Sequence, residues 1–265
     1  MSAKIIVVTS GKGGAGKTTV TANLGCKLSV LGARVALADI DFGLNNLDVV
    51  MGIENKVVYD IIDVLENRCR AKQALVQDTE YKNLFILPSI HSINKTHISG
   101  QQVKMVVEML SGAFDYILID CPAGIDTGFH RAVSASKEAV VVVTPSLPSI
   151  RDADKVISAL NSYKLNAVSL VVNRARGDLI LNWEMIDPFE ISSILKTKLL
   201  GVIPEEDNVF LTGGSGKIIA SGGNASLAFK ILADNLHTGA QNIYDCTYKY
   251  KGFWGSIKRS LRKTV

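Results

Sequence analysis

The chain has 265 residues, of which 47% are hydrophobic and 20% charged, enough to bury the large core of a single domain. Its net charge is +4, but six Lys or Arg and no acid stand from Thr247 onward, leaving 23 basic against 25 acidic residues elsewhere. That balance gives little support to a basic surface for a DNA backbone. No apolar run approaches a membrane span, and the first strand begins within a few residues of Met1, too early for a secretory signal, so a cytoplasmic chain is expected.

"KIIVVTS" predicts a short buried β-strand, and "TTVTANLGCKLSVLG" predicts a helix closed by Gly32. Between them, Gly11 to Thr18 match G-x-x-x-x-G-K-[ST], the phosphate loop whose successive N–H groups curl around an anion while the lysine and hydroxyl handle charge and magnesium. The anion would lie on the helix N-terminus, where unpaired N–H groups favour negative charge. A plain glycine turn is set aside, because the full motif stands between a strand and a helix.

Further strands are predicted at "RVALADID", "LFILPS", "FDYILIDCPAG", "AVVVVTPS", "AVSLVVNR" and "LLGVIP", with helical patterns between most of them. One helix start is legible at "DPFE", where Asp187 caps, Pro188 suits the first turn and Glu190 completes a capping box. The alternation implies an α/β fold: a mainly parallel, doubly wound sheet flanked by helices, with ligands at the C-terminal ends of its strands. Asp39 and Asp41 end one strand, and Asp120 ends another before the turn Pro122–Ala123–Gly124. A single aspartate there is often only a cap or turn residue. Three converging on a phosphate loop point to magnesium and water.

Cys26, Cys69, Cys121 and Cys246 form no C-x-x-C pair, which argues against zinc, an iron–sulfur cluster or a disulfide framework. His91, His97, His130 and His237 are equally scattered. None is given a role.

The form "KGGAGKTT", with its additional Lys12, resembles the deviant Walker A ATPases, the ParA–MinD family that also includes nitrogenase iron protein. Blocks from Ile5 to Asp207, among them "DIDFGLNNLDVVMGIENKVVYDIIDV", "DYILIDCPAGIDTG" and "LLGVIPEED", are similar to the septum site-determining branch of that family. The resemblance implies a Mg²⁺-dependent ATPase that forms a homodimer on ATP. Lys12 would reach the partner's phosphates, the logic of an arginine finger. Lys17 would contact β- and γ-phosphate. Gly11, Gly13, Gly14, Ala15, Gly16 and Thr19 would complete the cradle. Thr18, Asp39 and Asp120 would serve magnesium, Asp41 would orient the attacking water, and Gly124 would sense the γ-phosphate through its N–H. Asn173, with Pro204, Glu205 and Asp207, would recognise adenine. Asp152 corresponds to a partner-binding position, although an aspartate at a helix start explains it structurally as well.

The resemblance also implies partners of the Min type, a septum inhibitor and a topological-specificity protein, at the cytoplasmic face of the membrane. A flagellar-placement regulator or a DNA-segregation ATPase are the alternatives within the family. Two stretches depart from its pattern: "ARGDLILNWEMIDPFE" and the Gly-rich 212–223, read as a mobile loop. The chain divides into an ATPase domain, 1–246, and a tail, 247–265. At about 100° per residue, Phe253, Trp254, Ile257, Leu261 and Val265 fall within an arc of roughly 120°. Lys258, Arg259, Arg262 and Lys263 lie opposite, the pattern of an interfacial helix on anionic phospholipid.

Overall fold

A computed structural model describes residues 2–42, 46–89, 98–206 and 223–252. Eight strands form one sheet: β1 (Lys4–Thr9), β2 (Val35–Asp39), β3 (Val76–Gln77), β4 (Leu84–Leu87), β5 (Tyr116–Asp120), β6 (Glu138–Val143), β7 (Ala167–Ala175) and β8 (Lys198–Pro204). Their spatial order is β3-β4-β2-β5-β1-β6-β7-β8, parallel except for the two-residue edge strand β3, which the sequence pattern did not reveal. β1 lies between β5 and β6, and the chain winds to both sides of it, so the loop after β1 opens at a topological switch point.

Helices α1 (Lys17–Val30), α2 (Leu47–Met51), α3 (Ile61–Leu65), α4 (Gly100–Ser111), α5 (Thr127–Ser134), α6 (Leu147–Leu160), α7 (Gly177–Leu181), α8 (Pro188–Ile194) and α9 (Asn224–Thr238) cover both faces. Along β1, Ile5 and Val7 belong to the core shared with α3 to α6 and α8, whereas Ile6 and Val8 belong to the core shared with α1, α2 and α9. This is why the strands read as continuous apolar runs: alternate residues point to opposite faces, and both faces are dry.

Local chemistry explains the ends. Asp187 accepts from the Phe189 N–H (2.8 Å) and Pro188 opens α8, while reciprocal capping boxes form at Asp60 with Asp63 and at Ser99 with Gln102. α6 begins at Leu147 after Ser146, so Asp152 stands in its second turn and not at a helix start; its carboxylate pairs instead with Lys155 at 3.2 Å.

After α9 the chain turns back across the sheet edge. The Asn235 amide donates to the carbonyls of Leu200 (2.8 Å) and Asn242 (2.6 Å) and fixes that return. Beyond the expected boundary at 246, the segment stays packed: Tyr250 is buried, and the Cys246 carbonyl lies so close over Gly177 that no Cβ fits there. The amphipathic stretch 253–265 and the Gly-rich 212–222 lie outside the described residues.

Phe229 of α9 is fully buried in the core with α1. Phe229→Ala is expected to cost about 3–5 kcal/mol, measured by urea or guanidinium unfolding.

Candidate nucleotide site

The loop from Gly11 to Gly16 joins β1 to α1 and is held from three sides. Ser10, fully buried, donates its Oγ to the Lys12 carbonyl (2.8 Å), and the Lys17 ammonium donates to the same Oγ (3.2 Å). The Asn173 amide donates to the Ala15 carbonyl (2.8 Å). The backbone of Asp152 presses on Gly11 so closely that a Cβ there would collide with it. Gly16, at φ 95°, faces the Asn173 amide with equally little room, so its glycine is required both by backbone conformation and by space.

The structure brings together the residues expected on the metal side. Asp39 and Asp120 are register partners on β2 and β5. The Thr18 hydroxyl donates to Asp120 Oδ2 (2.6 Å), and Thr21, one turn further along α1, reaches Asp120 Oδ1 (3.3 Å). Asp39 accepts from the N–H groups of Asp41 (2.9 Å) and Leu47 (3.4 Å). Burial, then the charge of Asp120, pushes the Asp39 carboxyl well above the usual carboxylate range. Burial likewise pushes Asp120 up to about 6, against the downward pull of the Thr18 bond and the Lys17 charge. Two buried carboxylates with raised pKa values are a poorly compensated negative site.

Among the described residues no group of three His, Cys, Asp or Glu forms a metal cluster. Magnesium does not need one, since it takes one or two carboxylates and completes its shell with phosphate oxygens and water. The donor set of Thr18, Asp39 and Asp120 fits that demand.

Other expected residues are placed more loosely. Lys12, Gly13 and Gly14 are exposed, and no ion pair among the described residues engages Lys12. Asp41 is half-buried beside Asp39 and Asp120, whose pKa values its charge raises. The Gly124 N–H donates to the Ser10 carbonyl (3.0 Å), so it reaches a phosphate only if that turn moves. Asn173 lies at a bulge of β7, where the register with β8 shifts between Val172 and Ala175. Pro204 ends β8, and the Glu205 N–H donates to the Ala175 carbonyl (3.0 Å). Asp207 lies outside the described residues.

Ser10, Thr21 and Glu206 were missed. Helical spacing from Thr18 could have indicated Thr21. Nothing local marks Ser10, one residue before the motif, or Glu206, which accepts from the Asn224 side chain (2.7 Å) and the Ala225 N–H (3.1 Å) at the start of α9.

A family profile described as an AAA domain matches residues 3–170. The septum site-determining protein MinD of Bacillus subtilis is 42% identical over 257 residues, 96% of each chain. The chain belongs to the MinD family. Among solved structures of that family, the MinC:MinD cell division protein complex of Aquifex aeolicus aligns with TM-score 0.84 and 40% identity, over 91% of this chain and 97% of that one. MinD of Pyrococcus horikoshii, solved with Mg-ADP, aligns with TM-score 0.81 and 30% identity, over 89% and 96%. The chain is thus a septum site-determining P-loop ATPase of the MinD family, with the mostly parallel sheet read from its sequence. Among the described residues no helix is long and apolar enough to cross a membrane.

The raised pKa of Asp120 makes a signed prediction. The fold favours its protonated form, so the stability it contributes is full below the ordinary value of 3.8 and is lost as pH rises through about 6. In nucleotide-free, metal-free protein, Asp120→Asn should therefore raise Tm most at pH 8, with the gain shrinking towards pH 5. Scanning calorimetry across that range checks it, and a gain independent of pH would contradict a buried, ionising Asp120.

Proposed function

We propose that the chain is a Mg²⁺-dependent ATPase that dimerises around ATP, docks on the cytoplasmic face of the membrane through its tail, and recruits a division inhibitor to place the septum. The contrast between its two loop lysines carries this reading. Lys17 is 9% exposed and tied to Ser10 within its own site, whereas Lys12 is exposed on the rim of the loop. A cation presented outward beside a phosphate site is suited to serve another subunit's nucleotide.

In this reading the Ser10 bond holds the Lys17 ammonium where β- and γ-phosphate would lie, and α1 offers its first N–H groups to the same anion. Thr18, Asp39 and Asp120 would hold magnesium or its waters, and the ion when bound would neutralise charge developing on the transferred phosphoryl group. Asp41, adjoining that carboxylate pair, orients the attacking water. Lys12 of one subunit completes charge stabilisation in the other, so hydrolysis waits for dimerisation. Asn173, Pro204, Glu205 and Asp207 recognise adenine. Asp152 contributes to partner binding, and its backbone contact with Gly11 links that surface to the phosphate loop. The complex of the Aquifex relative with MinC supports a Min-type partner.

The tail is read as the membrane-targeting unit of a two-part chain, 1–246 and 247–265. Each large apolar side chain could contribute about 1.5–3 kcal/mol at full burial. Each cation near an anionic surface adds about 1 kcal/mol. Ordering the segment offsets much of this, so a single tail binds weakly and a dimer with two gains avidity.

Two tests follow. Substituting Lys17 should weaken ATP binding itself, whereas Lys12→Ala should leave monomer binding largely intact and abolish ATP-dependent dimerisation and turnover. Calorimetry and light scattering separate the defects, and a Lys12→Ala protein that dimerises and hydrolyses normally sinks the trans role. Sedimentation with anionic liposomes should require ATP, weaken with salt, and be lost on deleting 252–265 with ATP binding preserved. Equal sedimentation of the deleted protein would remove the anchor and favour the DNA-segregation alternative.

A further inference from the structure

A groove of about 540 Å³ opens between α7 and the start of α8. Its apolar lining includes Leu181, Met185, Ile186 and the ring of Trp183, which is 95% exposed. Trp183 is held at φ 60°, a conformation costly for a bulky residue. Its N–H nevertheless donates to the Ile180 carbonyl (3.1 Å), and the Glu184 N–H donates to the Leu179 carbonyl (2.9 Å), so the turn that presents the indole is hydrogen-bonded in place. The Arg176 N–H also contacts Met185 Sδ (3.3 Å) and holds that side of the groove.

The polar lining decides what such a surface accepts. Glu184, Asp187 and Glu190 all border it. Three acids repel an anionic bilayer and favour a cationic, amphipathic segment. Thr247 and Lys251 complete the rim, so the chain itself runs along the groove just before its last residues. Phe253 and Trp254 follow Lys251 by two and three positions, a reach of at most about 11 Å for three extended residues. Behind them come Lys258, Arg259, Arg262 and Lys263, with no acid between Gly252 and Val265. The nearest ligand with the required chemistry is therefore tethered at the groove's edge, at high effective concentration.

We propose that in the nucleotide-free monomer the tail docks back into this groove, with Phe253 and Trp254 against Trp183 and Met185 and the basic residues over Glu184, Asp187 and Glu190. The domain then competes with the membrane for its own anchor. The docking itself needs only the amphipathic pattern of the tail, and it rests on the membrane reading solely for its consequence there. A tail docked about nine-tenths of the time binds lipid about tenfold more weakly. Such competition keeps the single-tail protein off the membrane more firmly than weak lipid affinity alone.

The test is hydrogen exchange over residues 180–190 in the full-length, nucleotide-free protein. Trp254→Glu changes only the tail, so it leaves the groove's own residues intact. The expected result is exchange of 180–190 about fivefold or more faster in Trp254→Glu than in wild type. Glu190→Lys, with its far-UV circular dichroism unchanged, is expected to raise ATP-free sedimentation with phosphatidylglycerol-containing vesicles several-fold. Identical exchange in wild type and Trp254→Glu overturns the docking. Protection that survives Trp254→Glu and grows with protein concentration assigns the groove to a second copy and overturns it too. If Trp254→Glu loosens 180–190 but no variant binds vesicles, the docking stands and the membrane reading falls.

Discussion

The structure depends on two carboxylates buried side by side where two parallel strands end. Asp39 and Asp120 are paired in register, and removal from water raises both pKa values. Neither the Thr18 hydroxyl nor the nearby Lys17 cancels that cost, although both lower it at Asp120. Such a pocket favours a proton or a bound cation, and the phosphate loop beside it, at the start of a helix, favours an anion. The geometry that costs the free protein stability is the one that suits the metal–nucleotide pair of the proposed function.

The parallel sheet produces this arrangement because every parallel strand delivers its C-terminal end to the same edge. β1 brings the loop, β2 and β5 bring the aspartates, and β7 brings Asn173. α1 then turns its N-terminus onto the same point. The loop is braced by Ser10 from within, by Asn173 from β7 and by the Asp152 backbone from α6. Lys17 is part of that brace. Lys12 is held by its carbonyl alone, and the same loop therefore ties one lysine ammonium within its own site and leaves the other side chain exposed.

The opposite end of the chain shows a related economy. The segment after α9 is fastened by Asn235 and packed over Gly177, which carries Lys251 to the rim of an acidic, apolar groove. The groove is built by "ARGDLILNWEMIDPFE", one of the two stretches read from the sequence as departing from the family pattern. A local change in sequence there alters the surface next to the tail without touching the phosphate loop.

The phosphate loop, the β-strand ends with their aspartates, the closing Gly32 and the cap at Asp187 were legible because each is a pattern within a few neighbouring residues. The alternation of apolar runs with helical patterns was enough to imply a doubly wound sheet. The short edge strand β3 was not legible, since two residues carry no period, and α6 begins a turn and a half before Asp152, with Pro148 in its first turn. What only the tertiary structure decided is which distant groups meet. Asn173 reaches Ala15 across 158 positions and Thr18 reaches Asp120 across 102, and these contacts depend on strand order and register. Strand order is set by how long crossovers pack on both faces of the sheet, a global minimum of burial that no local pattern records.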